Sequence, residues 1–98
     1  KILDVAVDMR KKSKTYGKYY KIILSDKNCK SFFIPKGFAH GFLGLEKENI
    51  VLYGCSKYRH KQSELTINWD DKDLKIKWPI ARPILSKKDK KGIKFSEF

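Results

Sequence analysis

The place in this 98-residue sequence where chemistry is easiest to locate is Phe38-Ala39-His40-Gly41-Phe42, a histidine set between two aromatics at period-two spacing. Pro35 fixes φ and Gly37 tolerates a positive φ, so Pro35-Lys36-Gly37 reads as a tight turn between two apolar runs. On the strand that follows, Phe38, His40 and Phe42 share one face. An imidazole in that setting can move protons or bind a polar ligand. Most buried polar residues serve structure, however, so spacing alone makes a satisfied core histidine the default. A second set of polar groups lies on residues 2 to 9. There Leu3, Val5, Val7 and Met9 share a greasy face, while Asp4, Ala6 and Asp8 share a face that carries carboxylates.

Metal chemistry has little to draw on. Cys29 and Cys55 are the only cysteines and stand in no metal-ligand spacing. A zinc site needs about four ligands, and His40 and His60 sit in unrelated contexts. We expect no metal and two free thiols of a cytosolic protein, rather than a disulfide.

The elements that must position these residues are strands. Beyond residues 2 to 9, Arg10 to Gly17 reads as a polar connection, Tyr19 to Leu24 as a strand and Ser25-Asp26-Lys27-Asn28 as a turn. Cys29 to Ile34 and Phe38 to Leu45 read as strands around the Pro-Lys-Gly turn. Glu46 to Asn49 is a further turn, and Ile50 to Cys55 a strand on which Val51, Tyr53 and Cys55 share a face. From residue 56 the pattern loosens. Leu65 to Trp69 and Leu74 to Trp78 read as short strands, and Ser86-Lys87-Lys88-Asp89 has the spacing of a capped helical turn. Short strands with turns between them and almost no helical periodicity imply an all-β sandwich or barrel.

Length allows one small domain, residues 1–98. A hydrophobic content of 41% with 13% aromatics is that of a folded chain. No apolar run approaches the roughly 20 residues that span a bilayer, so we expect no membrane partner. Lys1 opens the sequence inside a strand-like alternation with neither an initiator Met nor a leader, and we expect a partial chain lacking its N-terminal portion. Within a formal net charge of +12, Lys11, Lys12 and Lys14 form one cluster and Lys87, Lys88, Lys90 and Lys91 another. Such clusters attract polyanions or phosphorylated small molecules, or simply decorate a solvated surface. Arginine, the residue suited to bidentate phosphate and guanine recognition, occurs only as Arg10, Arg59 and Arg82, which argues against a nucleic-acid partner.

Seven segments in order carry a resemblance: Asp4 to Arg10, Thr15-Tyr16-Gly17, Ile34 to Phe42, Leu52-Tyr53, Trp69-Asp70-Asp71, Ile76 to Pro79 and Leu85 to Asp89. Together they resemble the dTDP-4-dehydrorhamnose 3,5-epimerase family, from Asp4 to about Lys90. The resemblance implies a cupin-like jelly roll, usually a homodimer, without metal or cofactor, in the cytoplasm. The implied activity is epimerisation at C3 and C5 of a dTDP-linked 4-keto-6-deoxy sugar, in the dTDP-rhamnose route to cell-surface polysaccharide. Such a reaction removes a proton beside the C4 ketone and returns one from the opposite face.

Carried over residue by residue, the resemblance makes Tyr53 the general acid and Asp89 the carboxylate that orients the catalytic histidine. His40 becomes a substrate contact, Glu64 a substrate-binding acid and Lys88 a binding lysine. Asp4 matches an interior acid able to hold His40 in one tautomer. The family's base is a histidine in an Arg-Gly-Leu-His motif upstream of the first residue here, so this stretch alone is expected to be inactive. Arg59 stands where the family tends to stack an aromatic on the thymine, a role that a guanidinium can also fill. Competing readings are a single-site epimerase or ketoisomerase of another nucleotide sugar, and a non-catalytic module that binds sugar nucleotides.

Overall fold

The computed structural model describes residues 1–98. Three strands, β1 (Ile2–Asp8), β2 (Tyr19–Leu24) and β3 (Phe38–Gly44), form one antiparallel sheet in the order β2-β1-β3. The chain divides into two compact units, Lys1–Tyr53 and Gly54–Phe98, and the sheet belongs to the first. No helix is long and apolar enough to cross a membrane.

β1 is the middle strand, and all seven of its residues are buried. Its register places Asp4 opposite Ile22 on one side and Phe42 on the other, and Ala6 opposite Tyr20 and His40. Opposed residues in antiparallel strands point to the same face. Asp4, Ala6 and Asp8 therefore share a face with Phe38, His40 and Phe42, while Leu3, Val5 and Val7 supply the other. The alternation read from the sequence holds, but both faces are buried, which obliges the two carboxylates to find partners.

Two glycines make the connections possible. Gly17 (φ 78°) ends the 10–17 segment, its N–H donating to Asp8 O at 2.8 Å, so the chain can turn back into β2. Gly37 (φ 92°) closes the turn before β3, and its carbonyl accepts from Met9 N–H at 2.9 Å. A Cβ at Gly37 would also stand 2.7 Å from Arg10 Cγ, so the position is closed to larger residues on two counts.

Four expected strands do not form. Residues 29–34 and 50–55 pair with no other strand of the chain. Of residues 65–69 only Ile67 pairs, in an isolated parallel bridge with Ile93. Residues 74–78 are broken by Lys75, whose φ of 53° is left-handed. Period-two alternation records readiness to lie in a sheet, and a strand needs in addition a neighbour to bond with. The second unit is instead punctuated by 3-10 turns at Lys61–Ser63, Asp89–Lys91 and Phe95–Glu97. The expected turn at Ser86 is present: the Ser86 hydroxyl accepts from Asp89 N–H at 3.1 Å, and the Ser86 carbonyl from Lys90 N–H at 3.1 Å.

Candidate functional site

In the first unit the ladder register builds a carboxylate–imidazole pair. Asp4 lies opposite Phe42, one diagonal step from His40, and His40 Nε2 is hydrogen-bonded to Asp4 Oδ1. The Asp4 side chain is 8% exposed and that of His40 38%, so the acid is the buried anchor and the ring reaches the surface. A carboxylate accepts from Nε2–H, which fixes the tautomer and leaves Nδ1 as the ring's other polar atom. Phe42 flanks the ring, with centroids 6.2 Å apart.

A second network, not anticipated from the sequence, stabilises the end of the same face. Asp8 accepts from Arg10 N–H (2.9 Å), Arg10 Nε (2.9 Å) and Nη2 (3.0 Å), the Ser13 hydroxyl (2.7 Å) and the Thr15 hydroxyl. The Arg10 guanidinium holds the Asp8 carboxyl far below its ordinary value against the opposing effect of burial, with Thr15 and Ser13 adding to the depression. Arg10 also lies over the Phe38 ring, 4.9 Å from its centroid. The signal for this network was the alternation itself. A carboxylate on a strand buried on both faces demands donors, and the polar segment 10–15 supplies them.

For Tyr53 the expected orientation is corrected. The expected strand would aim its hydroxyl inward, yet Ile50, Leu52 and Tyr53 are 99%, 97% and 71% exposed, and Cys55 is exposed as well. Residues of both parities face solvent, because the segment has no strand beside it to define an inner face. Tyr53 forms no hydrogen bond with the Asp4–His40 pair.

In the second unit the structure collects Arg59, Glu64 and Lys88. Glu64 accepts from Arg59 Nε and, at 3.0 Å, from Arg59 Nη2, and its Oε2 lies 3.8 Å from Lys88 Nζ. The Arg59 bonds lower the Glu64 pKa, opposed by burial and helped by the charges of Arg59, Lys88 and Lys61. Arg59 is thus engaged in a bidentate pair with a carboxylate. Asp89 follows Lys88 and is half-buried in the 3-10 turn. Its amide donates to the Ser86 hydroxyl, but the Ser86 amide does not donate to the Asp89 carboxylate in return. Cys29 and Cys55 are free thiols, and no three His, Cys, Asp or Glu side chains converge as metal ligands would. An open depression of about 460 Å³, lined by Trp69, Asp71, Lys75 and Trp78 among others, includes none of the candidate residues.

Comparison with known proteins defines first a class, the partial cupin-like jelly roll of sugar-nucleotide epimerase structures. The chain superposes on the Mycobacterium tuberculosis rmlC epimerase with a TM-score of 0.94 at 35% identity, covering 98% of this chain and 50% of that one. It superposes with a TM-score of 0.80 at 38% identity on a Legionella pneumophila dTDP-6-deoxy-D-glucose-3,5-epimerase solved in complex with dTDP-4-keto-L-rhamnose, covering 97% of this chain and 51% of that one. A dTDP-4-dehydrorhamnose 3,5-epimerase of Methanothermobacter thermautotrophicus is 50% identical over 92 residues, which is 91% of this chain and 50% of the relative. The family model for dTDP-4-dehydrorhamnose 3,5-epimerase matches residues 1–97, and the chain belongs to that family. It spans about half the length of the curated relatives it matches.

Proposed function

We propose that the chain forms part of an epimerase that inverts C3 and C5 of a dTDP-linked 4-keto-6-deoxy sugar. The observation that carries this reading is the family match over residues 1–97; the relative solved with dTDP-4-keto-L-rhamnose supports the substrate class. Protons on C3 and C5 are acidified by the C4 ketone, so the protein must remove each one, stabilise the enolate and reprotonate the opposite face. Asp89 orients the histidine base, which lies outside the residues described here, and stabilises the imidazolium once it has taken the proton. Tyr53 as general acid delivers its own phenolic proton to the opposite face of the enolate, while the abstracted proton stays on the histidine until it exchanges with solvent. His40, held by Asp4, contacts the sugar through its free ring nitrogen. Glu64 and Lys88 grip the substrate, and Arg59, already paired with Glu64, steadies that acid and offers a flat cation to the base of the nucleotide. In this reading the protein works in the cytoplasm as a homodimer, without nucleic acid or membrane as partner.

Deuterium uptake tests the proposal. The full-length protein in heavy water should place deuterium at two carbons of dTDP-4-keto-6-deoxyglucose, resolved by mass. Uptake at one carbon would reduce the activity to a single-site epimerase, and none would overturn it.

A further inference from the structure

Asp71 is a buried acid with no part in the roles above. It is 8% exposed, and its two oxygens do different work. Oδ1 accepts the amides of Asp73 (2.9 Å) and Leu74 (3.1 Å), closing a local turn. Oδ2 accepts the amide of Phe95 at 2.8 Å, across 24 residues of sequence. Burial raises the Asp71 pKa, but the amides of Phe95, Leu74 and Asp73 and the charge of Lys94 lower it, and the net shift is downward.

Around the Phe95 bond the tail is fastened along its length. Ile93 N–H donates to Thr66 O and Asn68 N–H to Ile93 O, each at 2.9 Å, framing the parallel bridge of Ile67 with Ile93. At Gly92 the two segments approach so closely that a Cβ would stand 2.7 Å from Asn68 N and 2.8 Å from the Ile67 carbonyl carbon. These two segments adjoin three of the second unit's candidate residues. Glu64 stands two positions before Thr66, and Lys88 and Asp89 stand just before Gly92.

We infer that Asp71 is a positioning residue: by fastening residues 92–95 to 66–71, it holds the Lys88–Asp89 turn beside Glu64. The consequence for substrate rests on the proposed function, whereas the fastening itself does not. The Phe95 bond is the vulnerable one. An asparagine at position 71 keeps one oxygen for Asp73 and Leu74, but then turns its NH₂ toward the Phe95 amide, donor against donor. Asp71→Asn should therefore preserve the local turn and release the tail. Gly92→Ala attacks the same junction sterically, leaving the carboxylate in place.

The test combines hydrogen exchange with kinetics on the full-length protein. Both variants should speed amide exchange across residues 88–95 by roughly tenfold while leaving β1 protected, since local openings are independent of the most stable ladder. Both should also raise KM for the nucleotide sugar about twofold to fivefold, the range that a displaced charge contact spans. A mere loss of folded protein would lower kcat and leave KM alone. Unchanged exchange over 88–95 in both variants would overturn the fastening, and faster exchange with an unchanged KM would overturn the positioning role. If a variant loses protection in β1, the wild type decides by native-state exchange: Phe95, Ile93 and Lys91 amides should share one opening free energy, and separate values would overturn the inference. A wild type without epimerase activity would remove the proposed function and leave the exchange data to judge Asp71.

Discussion

The two units of this chain reach order by different means. In Lys1–Tyr53, a three-stranded ladder buries every residue of β1, and side chains such as Arg10, Ser13 and Thr15 gather round a carboxylate that the ladder has already buried. In Gly54–Phe98 there is one isolated bridge, one buried apolar side chain (Leu74) and a carboxylate that backbone amides gather round. In the first unit the backbone comes first and the polar network completes it. In the second the polar network organises the backbone. Candidate residues of the first kind, Asp4 and His40, inherit their geometry from a register, whereas Glu64, Lys88 and Asp89 depend on a few individual bonds.

The largest expected effect falls on a residue that neither scheme holds. Tyr53 ends the first unit outside its ladder and is 71% exposed. In the full-length enzyme, Tyr53→Phe should lower turnover by about two to four orders of magnitude, the range for losing a general acid. Nucleotide product binding should hardly change, because in the proposed mechanism the phenol acts on the sugar. Wild-type-like turnover would remove Tyr53 from the mechanism. Asp89→Asn should depress turnover by about tenfold or more and keep the 86–91 turn, since a neutral amide cannot stabilise an imidazolium and the Asp89 carboxylate bonds nothing in that turn.

Removing one buried leucine from each unit probes the contrast directly. Leu3 and Leu74 are equally buried, at 6% and 5% exposure. Each change to alanine should cost about 2 to 5 kcal/mol, with the cost set by how well the site can collapse. Leu3→Ala, inside the ladder, should fall near the top of that range, and Leu74→Ala near the bottom. Chemical denaturation gives the totals, and hydrogen exchange shows where protection is lost. Loss of β1 protection in Leu74→Ala would mean that the two units unfold as one, and the contrast would collapse.

The first unit was far more legible in the sequence than the second, for a physical reason. β2 has the bounds read from its alternation, and β1 and β3 end one residue short of theirs. Turn chemistry at Ser25–Asn28 and Gly37 marks where they stop, so local signals suffice. Segments 29–34 and 50–55 carry the same alternation, but pairing is a nonlocal property that no alternation encodes. Alternation alone put Asp4 off the greasy face, its contact with His40 was implied only by the resemblance, and the structure contains it. The resemblance named Arg59, Glu64 and Lys88 separately, and their grouping, invisible in spacing, emerges only in the structure. Asp71 entered only as part of the Trp69-Asp70-Asp71 segment of the resemblance, because a carboxylate that serves backbone amides leaves no partner side chain in the sequence to find.

Acid should separate the units by a smaller margin. The pKa values of Asp8 and Asp71 are both depressed from an ordinary 3.8. Each therefore contributes stability that is present above that value and lost as pH falls through its own folded pKa. The depression is the stronger at Asp8, where a guanidinium faces the carboxylate. Between pH 5 and 2, amides of residues 92–95 should accordingly lose protection before those of β1. Simultaneous loss would show that Asp71 does not act locally.

The smallest effect expected comes from two serines in comparable turns. Ser25 and Asn28 bond reciprocally, Ser25 N–H to Asn28 Oδ1 and Asn28 N–H to Ser25 Oγ, each at 3.1 Å, while Asn28 Nδ2 donates to Ile23 O at 2.8 Å. Alanine at position 25 removes one bond of several and should cost about 0.5 kcal/mol, the low end for loss of a capping oxygen. Ser86 has no such company. Its hydroxyl is the sole side-chain acceptor for the Asp89 amide, and the turn's remaining bonds are Lys90 N–H to Ser86 O and Lys91 N–H to Lys88 O. Ser86→Ala should therefore cost about 1 kcal/mol, the ordinary loss of a capping hydroxyl, and the loss should appear as faster exchange at residues 88–91. Melting curves of the two variants give the difference. Equal destabilisation would mean that the turn in the second unit is as redundantly held as the one in the first, and that few individual bonds govern the placement of Lys88 and Asp89.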